Sequence, residues 1–425
     1  MGTAGGMPVA ARPGKDAPMI HGENKKPCVA LDVSKGSSHM QSFHSGGSAA
    51  SEVSIIPHTK SGFAKLKAAM DSLRASDGAD PVVVFECTGA YSKPLSFFLD
   101  SIKSVYYEIP PILSAKVRKS DIRPTKTDKR DCATIASVYY LKRLREAARL
   151  ADVYEELRPL CSYHNFESRQ LRSAKIKFRQ SLDTVYPGID NYFDVDTDSF
   201  LSLIEAHPDP HKLMSMGGKK ITSFLSKIRY CGAAKASSMS MVLTGYLNDA
   251  AIYIREGDST IDVLSSQAKA VIDMKASIGS LLERIITSAM RTEEYKYLIT
   301  IPGIQKNTGA RIAAEIAGIS RFPDSSHFVS YIGIDPTVHS SGKETSDHLP
   351  ITKKGNARLR CLLYLVVVGT CKSSAKVNPV RDFVAKKKSD GMSGRAAVIA
   401  GCNKLARIIY AVCSKREPFS CDPSK

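Results

Sequence analysis

A chain of 425 residues with 43% hydrophobic content is long enough for two or three domains with real cores, which excludes a disordered tail. Sixty Lys plus Arg against forty-two Asp plus Glu leave a formal charge of +18, a surplus that favours a polyanionic partner, nucleic acid first, over an acidic small molecule. Ten cysteines lie scattered without a CxxC pair or zinc-ligand spacing, no apolar stretch reaches the roughly 18 residues of a membrane span, and the N-terminus lacks a signal peptide's apolar core, so a cytoplasmic protein with reduced thiols is expected.

Residues 1–26 are rich in Gly, Pro, Ala and Lys without a period and read as a disordered lead-in. Pro27 to Lys35, Ser38 to His44 and Glu52 to Pro57 then predict three short strands, and Gly62 to Ala75 carries helical spacing. Pro81 to Cys87 is a nearly continuous apolar run, as for a strand buried on both faces. A helix at Pro94 to Ile102, a strand at Val105 to Ile109 and a helix after Pro111 complete an α/β domain with a mixed sheet, over residues 27–145. From Asp131 to about Thr184 the spacing predicts one long, partly exposed helix. A second long helix is expected from Thr260 to Met290, where Val271, Met274, Ile278, Leu281 and Ile285 follow a coiled-coil seam. Pairing within one subunit and pairing across a dimer both fit this pattern. Residues 146–292 thus read as a helical arm, with a smaller helical insertion at 188–258. Residues 293–420 form a mainly helical last domain, with a polar loop from Thr337 to Asp347, an apolar helix at Leu359 to Val368 and an amphipathic helix at Arg395 to Val412.

Asp32 stands at the exit of the first predicted strand and Glu86 at the end of the Pro81 run. A carboxylate at the end of a buried strand is costly unless paired, hydrogen-bonded or metal-bound, so two in one small sheet invite a shared cation. Lys126-Thr-Asp-Lys-Arg-Asp131 adds Asp128 and Asp131, whose spacing of three turns both to one helix face. Four hard oxygen donors suit Mg²⁺ or Mn²⁺, and two such ions about 4 Å apart are a usual means of stabilising phosphoryl transfer. The bland alternative is that Asp128 caps a helix, Asp131 favours its dipole and Asp32 closes a turn. Lys116, Arg118, Lys119, Arg123, Lys126, Lys129 and Arg130 surround these acids; they read as a solvated helix face or as a means of bringing phosphates to the site.

Thr300-Ile-Pro-Gly-Ile304 followed by Thr308-Gly-Ala-Arg-Ile-Ala-Ala-Glu-Ile316 resembles a helix-hairpin-helix, whose turn N–H groups can hold a DNA phosphate. Downstream, Gly333-Ile-Asp-Pro-Thr-Val-His-Ser-Ser-Gly342 precedes Ile351-Thr-Lys-Lys-Gly-Asn-Ala-Arg-Leu-Arg360. A Ser-Gly pair is ordinarily a turn. Lys353, Lys354, Arg358 and Arg360 after it make the serine a hydroxyl against which a phosphate could be held.

Leu31-Asp-Val-Ser-Lys35, Phe85-Glu-Cys-Thr-Gly-Ala-Tyr91, Lys126 to Asp131, the Ile301-Pro-Gly303 turn and the Ser-Gly…Lys-Lys-Gly-Asn…Leu-Arg block occur in one order. That order resembles the DEDD transposases of the "insertion sequence one-ten" group, the bridge-RNA-guided recombinases, over residues 27 to 420, with 188–258 matched least. The resemblance implies an N-terminal RNase H/RuvC-like domain in which Asp32, Glu86, Asp128 and Asp131 hold Mg²⁺. It also implies a C-terminal serine that attacks the DNA phosphate through phosphoserine intermediates, a homodimer or tetramer, and a noncoding guide RNA that pairs with donor and target DNA. Family members place the serine directly before the glycine, which points to Ser341, with Ser340 adjacent. Lys126, Arg130, Lys353, Lys354, Arg358 and Arg360 are candidate nucleic-acid contacts. The rival readings are a RuvC-type nuclease or junction resolvase that activates water, an actin-like sugar kinase, for which a second phosphate loop is missing, and a non-catalytic nucleic-acid scaffold.

Overall fold

The first apolar run folds, in a computed structural model, as β1 (Cys28–Ser34), and a turn at Gly36, with φ of 76°, returns the chain as β2 (Ser37–Phe43). Residues 25–120, 128–142, 144, 151–229, 231–336, 350–372 and 378–420 are described, the side chains of 118–120 and 128–130 excepted. The lead-in before residue 25 therefore lies outside the described residues. Two compact units divide the chain, residues 1–149 and 150–425.

In the first unit β3 (Ser54–Pro57) follows β2, and α1 (Lys60–Asp77) starts where Thr59 Oγ1 accepts from Gly62 N, a cap that satisfies one orphan donor. It ends on Gly78 in the left-handed region. Then come β4 (Val82–Glu86), α2 (Lys93–Ser101), β5 (Tyr106–Ile109), α3 (Pro111–Ser120) and α4 (Asp128–Leu141). The strand order is β3-β2-β1-β4-β5; β2 runs antiparallel to both β3 and β1, while β4 and β5 continue parallel to β1. This is the mixed sheet that the sequence predicts. Alternation along the strands divides the core. Val29, Leu31, Val33, Val83 and Phe85 pack with Leu66, Met70, Leu95 and Leu99 of α1 and α2 on one face. Cys28, Ala30, Val82 and Val84 pack with Cys132, Ile135, Ala136 and Tyr139 of α4 on the other.

The second unit is helical. Its elements are α5 (Asp152–Val185), α6 (Asp198–Ala206), α7 (Pro210–Met216), α8 (Gly218–Leu225), α9 (Ala233–Asp249), α10 (Ser259–Ala289), α11 (Glu293–Leu298), α12 (Lys306–Ile316), α13 (Ser325–Ile332), α14 (Ala357–Cys371), α15 (Pro379–Ser389) and α16 (Gly394–Lys415). The single helix expected from Asp131 to Thr184 is instead two helices, α4 and α5. Asp152 and Glu155 in the first turn of α5 favour a helix N-terminus through the macrodipole, a start signal that apolar spacing does not register. α5 and α10 pair antiparallel within the chain: Ser288 Oγ donates to Glu156 Oε1 at 2.7 Å at one end, and Phe178 and Leu182 share a core with Leu264, Ala268 and Val271 at the other. That second core also takes in α6 to α9, so residues 188–258 pack as short helices on the far end of the pair. The opposite ends of α5 and α10 belong to the core of α11 to α16. By length and composition α16 is apolar enough to cross a membrane; half of its most apolar stretch is buried, with Leu405, Ala406 and Ile409 inside the core.

Candidate active site

Register and parity bring two of the predicted acids together. Leu31 pairs with Phe85 across β1 and β4, so Asp32 and Glu86, one residue on, stand side by side at the carboxyl ends of adjacent parallel strands. Both follow residues whose side chains face α1 and α2, so both belong to the face covered by α4. Each is half-buried. Asp131, only 5% exposed, lies in the first turn of α4. The next residue ties that turn to the same end of the sheet, because Cys132 Sγ donates to His39 O at 3.3 Å and His39 is the β2 partner of Asp32. Asp128 opens α4, with its side chain outside the described residues. Lys116 is exposed on α3, while the side chains of Arg118, Lys119, Arg123, Lys126, Lys129 and Arg130 lie outside the described residues.

The donor set is all carboxylate oxygen, which fits a hard divalent cation and no thiol-loving one. Among the described residues no three His, Cys, Asp or Glu side chains stand close enough to share an ion. Thr88, two residues after Glu86, contributes a buried hydroxyl with no hydrogen-bond partner among the described residues. Buried hydroxyls are ordinarily satisfied, which sets this one apart from most of its kind.

In the second unit the segment with Ser340 and Ser341 lies outside the described residues, but both of its roots are placed. Pro336 bridges Ile351 antiparallel, Thr352 N donates to Asp335 O at 2.9 Å, and Thr352 Oγ1 donates to Asp335 Oδ1 at 2.7 Å. Residues 337–349 therefore leave from a zipped neck. The neck rests on two glycines. A Cβ on Gly355 would overlap Tyr331 O, and Gly333 has φ of 74° with a Cβ position 2.9 Å from Arg360 Nη1. Asn356 joins the parts: its Oδ1 accepts from Arg358 N and Leu359 N at 3.0 Å, capping α14, while Nδ2 donates to Glu315 Oε2 at 2.8 Å and Tyr331 OH at 3.1 Å.

The basic residues expected near the serine divide in two. Arg360 Nη1 donates to Ile332 O at 2.8 Å, so its fork helps close the neck. Arg358 reaches Ser162 Oγ at 3.1 Å and stands 3.8 Å from Glu315 Oε1. Lys353 and Lys354 are exposed at the root of the segment. In the hairpin between α11 and α12, Ile301 N and Ile304 N bond within the turn, and Gly303, with φ of 96°, packs on α14, where a Cβ would overlap Thr370 Oγ1. Sequence reading missed Asn356, Glu315, Asp335 and Thr352; an Asn directly before an apolar helical run is a cap signal that identifies the first of them.

Comparison with known proteins follows the same two regions. A DEDD transposase model of the IS110 type matches residues 29–187, and one described as "Transposase IS116/IS110/IS902 family" matches residues 295–385. An IS110 uncharacterised 43.6 kDa protein of Streptomyces coelicolor is 22% identical over 90% of this chain and 93% of its own length. An IS116 uncharacterised 44.8 kDa protein of Streptomyces clavuligerus is 22% identical over 70% of this chain and 73% of its own. A pilin gene-inverting protein of Moraxella bovis is 32% identical over 29% of this chain and 37% of its own. Two matches in one order, together spanning more than half of the residues, place this chain in the IS110 group of transposases.

Proposed function

We propose that the protein cuts and rejoins DNA with two chemical parts, a carboxylate site in an RNase H/RuvC-like unit and a serine nucleophile carried on the segment above the Asp335–Thr352 neck. The observation that carries the reading is the common placement of Asp32, Glu86 and Asp131 at one end of a sheet whose three antiparallel strands continue into two parallel ones. In labour this divides the chain into a catalytic domain at 27–145, an arm at 146–292 with its insertion, and a serine-bearing domain at 293–420. The pilin gene-inverting relative is named for a rearrangement of DNA, which supports recombination over simple cleavage.

Asp32, Glu86, Asp128 and Asp131 would hold Mg²⁺, or Mn²⁺, and the ion would supply Lewis-acid stabilisation of charge developing on a phosphate oxygen. Ser341 Oγ attacks phosphorus, the bond to the leaving strand's oxygen breaks, the serine proton passes to solvent and the leaving oxygen takes one up. The phosphoserine conserves the bond energy, so rejoining requires no ATP. Lys353 and Lys354, exposed at the root of the segment, hold the strand by charge. A noncoding guide RNA chooses donor and target, and a homodimer or tetramer brings two sites to two strands.

Incubating the full-length protein with its element ends and Mg²⁺, then digesting it for mass spectrometry, tests the serine. A nucleotide adduct on Ser341, lost in Ser341→Ala and retained in Ser340→Ala, is the expected result. Cleaved product with no protein attached would replace this reading with a RuvC-type nuclease that activates water.

A further inference from the structure

A second cluster of charge lies where α5, α12 and α14 meet. Arg311 on α12 donates from Nη2 to Asn165 Oδ1 at 2.8 Å, and among the described residues no carboxylate stands within ion-pair distance of it. Burial lowers its pKa. One turn of α5 away, Arg358 donates to Ser162 Oγ, so two guanidinium groups reach neighbouring positions on one face of α5. Glu315, 8% exposed, is the acid beside Arg358: its Oε2 accepts from Asn356 Nδ2, and Arg358 is 3.8 Å from its Oε1. Arg358 thus leans on a carboxylate that is already engaged, and Arg311 has no ion-pair partner among the described residues. Beside Arg311, His164 is 6% exposed and its buried Nδ1 has no partner among the described residues. Burial and the charge of Arg311 both lower the pKa of His164, so this neighbour supplies no counter-charge to the guanidinium.

A half-buried guanidinium without a carboxylate is costly unless an anion arrives to complete it, and its planar fork matches phosphate oxygens two at a time. We propose that Arg311 and Arg358, aligned by Asn165 and Ser162, form a clamp for one phosphodiester of a nucleic-acid strand passing over α5 beside the root of the serine-bearing segment. The link to that root is Glu315, which contacts both Arg358 and the neck residue Asn356. A strand held by the clamp is therefore held in register with the neck. This rests on the reading of the protein as a DNA-joining enzyme.

Fluorescence anisotropy on the full-length protein tests it, with labelled duplex DNA, single-stranded DNA and RNA of one sequence across a salt series. Arg311→Gln is expected to weaken binding about tenfold and to lower the slope of log K against log salt by about 1. Arg311→Lys keeps the charge and should keep the slope while losing part of the affinity, because the fork is gone. Arg358→Gln, at an exposed site, repeats the slope test should Arg311→Gln fail to fold. The probe whose binding responds identifies the strand, DNA or RNA. Wild-type affinity and slope in a folded Arg311→Gln, or in Arg358→Gln if Arg311→Gln does not fold, would overturn the clamp alone. Absence of binding by the wild-type protein to every probe would overturn the underlying reading as well.

Discussion

Replacing Asn356 with alanine removes two roles with one side chain. The cap on Arg358 N and Leu359 N is worth about 1 kcal/mol. The amide that donates to the buried Glu315 serves a charged acceptor, a bond worth about 1.5–3 kcal/mol, and its loss leaves Oε2 without that donor. Asn356→Ala should therefore destabilise the second unit by about 2–4 kcal/mol, the two contributions being coupled through one residue. Asn356→Asp separates them. It keeps an oxygen for the cap but sets a second carboxylate against Glu315, so at neutral pH it should be at least as harmful as alanine, and mild acid should relieve part of the loss. Urea unfolding followed by circular dichroism, with the midpoint and slope fitted separately, measures both. A loss under about 1 kcal/mol for alanine, or an Asp variant as stable as wild type at pH 7, would refute the role of Asn356 as the hub of the neck.

Gly303→Ala should cost at least about 2 kcal/mol, since φ of 96° strains an L residue and the new methyl meets Thr370 Oγ1; adding Thr370→Ala should recover the overlap but not the backbone strain, read by thermal unfolding. Glu86→Gln, at a half-buried strand end, should reduce Mg²⁺-dependent strand cleavage by at least about 100-fold while the melting temperature stays within about 2 °C; full activity would remove the carboxylate from the reaction. In the first unit, Asp77 accepts from His44 Nδ1 at 2.6 Å and from Ser45 N at 2.9 Å, and these bonds, His44 first, hold its carboxyl well below the usual range. A depressed folded pKa means stability that is present above the ordinary carboxylate value of about 4 and is lost as pH falls through the folded value. Asp77→Asn should therefore flatten the acid limb of the stability curve below about pH 4; an unchanged limb in acid titration would exclude the contribution.

Periodicity in the sequence determines the mixed sheet, because alternation and turn residues are local properties and each strand carries its own. It also places Asp32 and Glu86 at strand ends, where a carboxylate needs a reason to be. Their common face follows from the registers of β1 and β4, which no local spacing supplies. The break between α4 and α5 escaped the apolar pattern, since helix-start chemistry at Asp152 and Glu155 is invisible to a count of hydrophobic positions. The seam on α10 is legible residue by residue, yet one seam suits a partner helix from the same chain or from another. Tertiary packing decides for α5, by burying Phe178 and Leu182 against Leu264 and Val271. The neck and the Arg311 cluster were least legible of all. Asn356 and Glu315 lie 41 residues apart and Arg311 and Asn165 lie 146 apart, so their hydrogen bonds exist only once α5, α12 and α14 have met.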